Sequence, residues 1–404
     1  MTDDWKTETV EACLQPISLP RVKLPTSAYK RSGKHPIIDQ SQADIAGWTD
    51  DEDGVIDEQL PVIVFGDHSR TLKYVDMPFV RGADGTQILK PRLDIDPLFF
   101  FYALRSLNLE SRGYNRHFTL LKEQLVPIPE QSEQVRIAQA LKQLEDGIRL
   151  QERQAAAVEE LKGVTLHELF ARGVRGEPQK ETEIGPMPES WDLVEFSQLR
   201  ESLRYGTSNR CTVTPAAYPV LRIPNIMSAR IDASDLKYCD LPEEEAARYK
   251  LQDGDLIFIR TNGVIERLGL CAVFRGEPAK ALFASYLIRA RLKEGINSDY
   301  VAYFFGSPVG IQLIASRATP AADGKFNLNT GIIDSLLLPL PTLDEQEEIA
   351  ALLKMIDHKL ELQRTKLARL KELFERMLHD LMTGGIAVDD LVVPPGPLPE
   401  GNAA

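Results

Sequence analysis

The side chains best placed to do chemistry in this sequence lie in polar loops that flank apolar runs. Gly66-Asp67-His68-Ser69-Arg70 follows the run Leu60 to Phe65, and Lys73 comes shortly after. Arg204-Tyr205-Gly206-Thr207-Ser208-Asn209-Arg210 lies ahead of Leu221-Arg222-Ile223-Pro224-Asn225-Ile226, and Arg260-Thr261-Asn262-Gly263 follows Asp255 to Ile259. Short donors and acceptors interleaved with arginine and an aromatic ring suit phosphates and base edges. His68, Arg70, Lys73, Tyr205, Thr207, Ser208, Arg210, Arg222, Asn225, Arg260, Thr261 and Asn262 are therefore the candidate DNA-contacting residues. Any one loop is weak evidence, because the same residues make ordinary turns. His68 alone reads more readily as a loop histidine with no ligand.

Catalytic constellations are missing. No Gly-x-Gly-x-x-Gly or Gly-x4-Gly-Lys-Ser/Thr supports dinucleotide or P-loop nucleotide binding. No Asn/Asp-Pro-Pro-aromatic tetrapeptide supplies an amino-methyltransferase loop, and His-Glu-x-x-His and Gly-x-Ser-x-Gly are absent. The run Asp50-Asp51-Glu52-Asp53 ahead of Gly54 reads as a solvated loop rather than a metal site. Cys13, Cys211, Cys239 and Cys271 form no CxxC pair, which argues against a zinc ribbon or disulfide scaffold and fits a reducing cytoplasm. No apolar run spans a bilayer, so no membrane partner is expected, and the acidic N-terminus lacks the order of a signal peptide. With 47 Lys+Arg against 60 Asp+Glu the net charge is −13, which on its face disfavours nucleic acid. The excess acid lies largely in Asp50 to Glu58 and the C-terminal part, however, and 185–336 is close to neutral.

The elements that position these loops show in an internal repeat. At an offset of 212 the chain aligns with itself over about 47 residues, with about 17 identities. Pro127-Ile128-Pro129 matches Pro339-Leu340-Pro341, Glu133-Gln134 matches Glu345-Gln346, and Ile137-Ala138 matches Ile349-Ala350. Each copy reads as a long helix. Asp344 can cap the second, with Ser132 and Glu133 doing the same in the first. Apolar residues recur in steps of four and three: Ile137, Leu141, Leu144, Ile148, Gln151 in one copy, and Ile349, Leu353, Ile356, Leu360, Gln363, Leu367, Leu370 in the other. That is a heptad seam, with one amide at the same place in both copies. Gly173 and Gly384-Gly385 stop the helices. After Val158 the first seam softens, with Ala156, Ala157 and Gly163, which leaves that helix's extent open. A pseudo-twofold relation would pair the two antiparallel as a rod ~60 Å long, a spacer.

Each helix follows a segment of domain size that begins alike, a Trp leading a short alternating strand (Trp5 to Leu14, Trp191 to Leu199). The segments also finish alike, Asp96 with Tyr102-Ala103-Leu104-Arg105-Ser106 paralleling Asp299 with Tyr303-Phe304-Phe305-Gly306-Ser307. Their middles are mixed α and β and share little. Leu60 to Phe65, Asp255 to Arg260 and Leu268 to Phe274 read as buried strands. Leu98 to Leu104 reads as a buried strand or helix turn.

This twofold Pro-x-Pro-x-x-x-Glu-Gln-x-x-Ile-Ala pattern, each copy leading a long helix behind a variable segment, resembles the specificity (S) subunits of type I restriction-modification systems. Val62 to His68 with Gly82-Ala83-Asp84-Gly85, and Gly254 to Phe258 with Ser285 to Arg289, are further family-like stretches. The resemblance implies an α+β chain of two target recognition domains separated by an antiparallel intramolecular coiled coil. The expected boundaries are 1–130 and 191–341 for the recognition domains, 131–175 and 342–384 for the spacer helices, 176–190 for a linker and 385–404 for a tail. It further implies double-stranded DNA as ligand, two modification (methyltransferase) subunits and restriction subunits as partners, and no catalysis by this chain. S-adenosylmethionine, ATP and Mg2+ would belong to the partners. The competing readings are a coiled-coil protein-interaction scaffold and a single-chain DNA endonuclease.

Overall fold

The computed structural model describes residues 5–82, 85–110, 116–227, 229–321 and 324–388. Ala83 and Asp84 of the family-like stretch, and most of the expected tail, lie outside them. The chain divides into two compact units, residues 1–153 with 365–404, and residues 154–364. Each unit thus combines one recognition segment with a part of both long helices.

In the first unit, Lys6–Thr9 pairs antiparallel with Leu125–Ile128, opposite the first Pro-x-Pro. Two small sheets stand beyond this ribbon. One is ordered Gly47–Thr49, His35–Ile38, Phe79–Arg81, Val55–Ile56, and the other Leu72–Val75, Val62–Gly66, Thr86–Leu89. The expected strand after Leu60 is fully buried from Val62 to Gly66, which accounts for its unbroken apolar run. Leu98 to Leu104 lies in a helix, Pro97–Arg105, capped by the Asp96 carboxylate on the Leu98 and Phe99 amides. Phe99, Phe100, Tyr102 and Leu104 from it share one core with Ile137 and Leu141 of the first long helix and with Phe374, Leu378, Leu381 and Met382 of the second.

The second unit repeats that plan. Asp192–Glu195 pairs with Leu337–Leu340 in the same relation to the second Pro-x-Pro. Its main sheet is ordered Arg200–Tyr205, Leu287–Leu292, Leu256–Ile259, Cys271–Val273. In both units the segment after the Trp is a short strand followed by one helical turn, Val10–Cys13 or Phe196–Leu199, rather than strand throughout. The stretch expected as a linker carries a hairpin, Gln179–Thr182 with Gly185–Pro188, whose Met187 is buried.

The long helices run Gln131–Arg172 and Leu343–Thr383. The first continues without a break past Val158. Gly147 and Gly163 face open space, so neither forces a stop. Their pairing is antiparallel. In the first unit Ile137 and Leu141 share a core with Leu378 and Leu381, and Lys371 meets Glu152 at 2.7 Å. In the second, Glu159 meets Arg364 at 2.9 Å and Lys162 meets Asp357 at 2.6 Å, while Leu166 and Phe170 share a core with Ile349 and Leu353. Along the seam Ile137, Leu141, Ile349, Leu353 and Leu360 are buried, and Leu144, Ile148, Ile356, Leu367 and Leu370 are half-buried. Gln151 is 2% exposed, so its amide is buried in the seam, and Gln363 is half-buried.

The expected caps are corrected. The second helix begins ahead of Asp344, and Thr342 Oγ1 accepts from the Glu345 amide at 3.4 Å. Ser132 likewise lies inside the first helix, whose Glu133 and Gln134 amides donate to the Glu130 carbonyl. The paired Glu-Gln does other work. Trp5 Nε1 donates to Glu133 and Trp191 Nε1 to Glu345, both at 3.1 Å. Gln134 accepts from the Asp96 amide at 2.8 Å and donates to the Pro129 carbonyl at 2.9 Å. Gln346 accepts from the Asn297 amide at 2.9 Å and donates to the Pro341 carbonyl at 3.0 Å. One buried amide thereby ties the start of a long helix to the start of the short helix packed on it. The counterpart of Asp96 is consequently Asn297, which caps Ser298–Phe305, and not Asp299, which pairs with Arg275 and Lys354. Tyr102 donates to Glu145 at 3.0 Å and Tyr303 to Asp357 at 2.8 Å, carboxylates again separated by the repeat offset. Burial first, and then those carboxylates, push both phenols up, so they remain protonated donors.

Candidate nucleic-acid interface

In the second unit Gly206 makes the candidate loop possible. A Cβ there would meet the Phe283 and Ala284 carbonyl oxygens at 2.2 and 2.3 Å, so only glycine lets the backbone cross. Thr207, 2% exposed, follows it into the structure. Its amide donates to Phe283 at 2.8 Å and its carbonyl accepts from Ser285 at 2.8 Å. Thr207 is thus a strut, and is corrected as a contact residue. Ser208 and Arg210 emerge exposed beyond it.

Asn225 and Arg222 are similarly committed. Asn225, 1% exposed, accepts from the Arg222 amide and donates to the carbonyls of Asp232 and Asp235, which satisfies its whole side chain. It holds the turn. The Arg222 guanidinium pairs with Asp235 at 2.8 Å.

Arg260 differs. Its guanidinium lies 4.7 Å from the centre of the Tyr205 ring and donates to the Ser285 carbonyl at 3.2 Å. Tyr205 is itself fixed, its hydroxyl accepting from the Thr330 amide at 3.1 Å. Arg260 Nε, like Arg222 Nε, is buried and has no hydrogen-bond partner. A planar cation held by stacking is pre-oriented for a base edge or phosphate. Thr261 and Asn262 continue from it as a short strand paired with Phe326–Asn327. Together these residues line an open concavity with Ile223, Tyr286, Lys325 and Asn327. Tyr286 is 59% exposed, a ring available for stacking. Sequence reading missed Tyr286, Lys325 and Asn327. Tyr286 sat in a family-like stretch, but nothing in the sequence brings 325–327 beside 260–262.

The first unit disposes its candidates otherwise. Asp67, 2% exposed, accepts from the Phe118 amide at 2.8 Å, and its carbonyl accepts from the His117 amide and Nδ1, each at 3.0 Å. This hub fixes the loop, on which His68 is half-buried beside Gly85. Arg70 adopts φ +61° and donates to the Leu109 carbonyl at 2.6 Å. Lys73 is corrected: it is 7% exposed, donates to the Ala43 carbonyl at 2.6 Å and lies 3.9 Å from Asp39. Burial lowers its ammonium's affinity for the proton, and a side chain so engaged does not reach a ligand outside. Arg70 and Lys73 line a cleft together with Lys142, Glu145 and Arg149 of the first long helix. The structure therefore assembles Arg260, Thr261 and Asn262 into one surface, leaves Ser208 and Arg210 exposed, and takes Lys73, Thr207 and Asn225 out of contact. Among the described residues no cluster of three or more His, Cys, Asp or Glu side chains could hold a metal ion, and no helix is long and apolar enough to cross a membrane.

The family model for the type I restriction modification DNA specificity domain matches residues 76–160 and 188–372, more than half of the chain. The putative type I restriction enzyme MjaX specificity subunit of Methanocaldococcus jannaschii is 30% identical over 212 residues, 51% of this chain and 49% of that protein. The type I restriction enzyme EcoKI specificity subunit of Escherichia coli is 27% identical over 226 residues, 55% of this chain and 48% of that protein. The chain thus spans about half the length of these curated relatives. The S subunit of a type I restriction-modification system from M. genitalium matches with a TM-score of 0.60 at 14% identity, covering 94% of this chain and 96% of that one. A chain from a structure addressing complex assembly and conformational transition of the type I R-M system matches with a TM-score of 0.54 at 15% identity, covering 95% and 98%. The structural likeness establishes the fold; with the family match across both units, this chain belongs to the type I restriction-modification DNA specificity family.

Proposed function

We propose that this non-catalytic specificity subunit reads a bipartite, asymmetric DNA site, one half with each recognition segment, while the paired helices set the number of unread base pairs between the halves. One observation carries the reading. The same joint of Trp, Glu-Gln and Tyr-carboxylate recurs at the start of each long helix, whereas the loops mounted on it share little sequence. A repeated mount with unlike surfaces suits two readers of different targets. Arg260, Thr261 and Asn262, with Tyr286, Lys325 and Asn327, are the proposed contacts of the second reader, joined by Ser208 and Arg210. His68 and Arg70 are the proposed contacts of the first. Two methyltransferase subunits would dock on the chain and bring S-adenosylmethionine, and restriction subunits would bring ATP and Mg2+ chemistry. Partner subunits would also supply phosphate-neutralising charge that an acidic chain lacks.

The test is to insert one heptad after Gln151 and one after Gln363, reconstitute the methyltransferase and map methylated sites. Seven residues add about 10 Å of helix, about three base pairs of duplex. The expected result is unchanged half-sites at a longer spacing. Methylation only at the original spacing would refute the ruler.

A further inference from the structure

Cys211 and Cys239 lie 28 positions apart in the sequence, yet the fold makes them neighbours. Thr212 and Tyr238 form an isolated antiparallel bridge, each amide donating to the other's carbonyl at 2.8 Å. Antiparallel pairing then sets Cys211 opposite Cys239 as the adjacent pair without backbone hydrogen bonds, the kind whose Cα atoms approach to about 4.5 Å. Disulfides span Cα separations of about 4.4–6.8 Å, so the pair sits at the short end of the range. Both side chains face the small core of Tyr218, Val220 and Leu282, and the two sulfurs are near enough to interact. Cys211 also donates to the Asn209 carbonyl at 3.4 Å and is partly exposed, whereas Cys239 is 4% exposed.

We propose that Cys211 and Cys239 are a redox-modification site, closed to an intramolecular disulfide by a low-molecular-weight disulfide such as oxidised glutathione. The Cys211 thiolate attacks one sulfur of oxidised glutathione, whose S–S bond breaks and releases one glutathione thiolate. Cys239 gives up its proton and attacks Cys211 Sγ in the mixed disulfide, and the second glutathione leaves. Two protein thiols are oxidised and one glutathione disulfide is reduced to two thiols, which take up the protons. Burial, followed by the neighbouring Cys211, pushes the Cys239 thiol up to about 11, so the closing step is the slow one. The bond would pin the backbone directly after Ser208 and Arg210. The chemistry does not depend on what those residues contact.

The full chain is incubated with oxidised glutathione at pH 8, acid-quenched, alkylated and digested with trypsin. The expected product links the peptides Cys211–Arg222 and Tyr238–Arg248, is reversed by dithiothreitol, and leaves Cys13 and Cys271, both 0% exposed, to be alkylated only after denaturation. Amide exchange over 209–214 slows at least about tenfold on oxidation, and closure accelerates about tenfold per pH unit between pH 7 and 9, as a thiol titrating near 11 requires. Cys239→Ser holds glutathione on Cys211, and Cys211→Ser takes up none. Wild-type chain that stops at the mixed disulfide, or that links two chains instead, overturns the proposal whether or not either variant folds.

Discussion

The two joints make the same bonds in different surroundings. Trp191 is 1% exposed and Glu345 4%, whereas Trp5 and Glu133 are half-buried, although each indole donates at 3.1 Å. The second joint is sealed by the finish of the first long helix. Glu345 accepts from the Val174 amide at 3.2 Å, and Gly173 turns there at φ +64°, where a Cβ would come within 2.8 Å of the same carboxylate. Duplication preserved the contacts, then, and burial sets what they are worth. A hydrogen bond counts for more when losing one partner strands the other away from water.

That contrast is open to test. Trp191→Ala should cost about 3–5 kcal/mol and Trp5→Ala about 1–2 kcal/mol, read by urea denaturation of the full chain with hydrogen exchange locating the loss. Equal losses would break the comparison. Glu345→Ala should cost about 2–3 kcal/mol, against about 1 kcal/mol for Glu133→Ala, by the same assay. On the reading surface, Arg260→Ala should weaken specific binding by the reconstituted complex by about 1–3 kcal/mol; unchanged affinity would remove Arg260 from the interface.

The smallest effect concerns acid. The Arg92 hydrogen bond at 2.8 Å, together with its charge, holds Glu8 below its ordinary value of 4.5. A lowered carboxyl contributes stability at pH above 4.5 and loses it as pH falls through the folded-state value. Arg92→Gln should therefore flatten the stability profile between about pH 5 and 3 by less than about 1 kcal/mol, because both side chains are partly solvated. A profile that superposes on the wild type's would dismiss the pair.

The sequence made the framework legible through periodicity. A seam in steps of four and three, glycine stops and unbroken apolar runs such as Val62 to Phe65 each have a single structural solution. The reading surface was less legible because it depends on which hydrogen bonds a side chain has already made. Asn225 and Thr207 have the composition of contact residues, but local turns consume their capacity. Lys73 sits between the half-buried Leu72 and Tyr74, yet its own chain runs inward and is 7% exposed. Asn327 reaches Thr261 only through a strand pairing across more than sixty positions. The Glu-Gln signature that identified the repeat fastens helices: its side chains bond to the Trp indoles, the short-helix caps and the Pro-x-Pro carbonyls.

Phe374, Leu378, Leu381 and Met382 join a core most of whose other members precede residue 150. A ribosome delivers those four side chains more than two hundred residues after Tyr102 and Leu141, so the earlier-made portion must wait, with an apolar flank uncovered, until the later-made one arrives. Maturation of the nascent polypeptide is therefore fastened from its tail, and a prematurely stopped message would leave its leading portion, not merely its trailing one, unfinished.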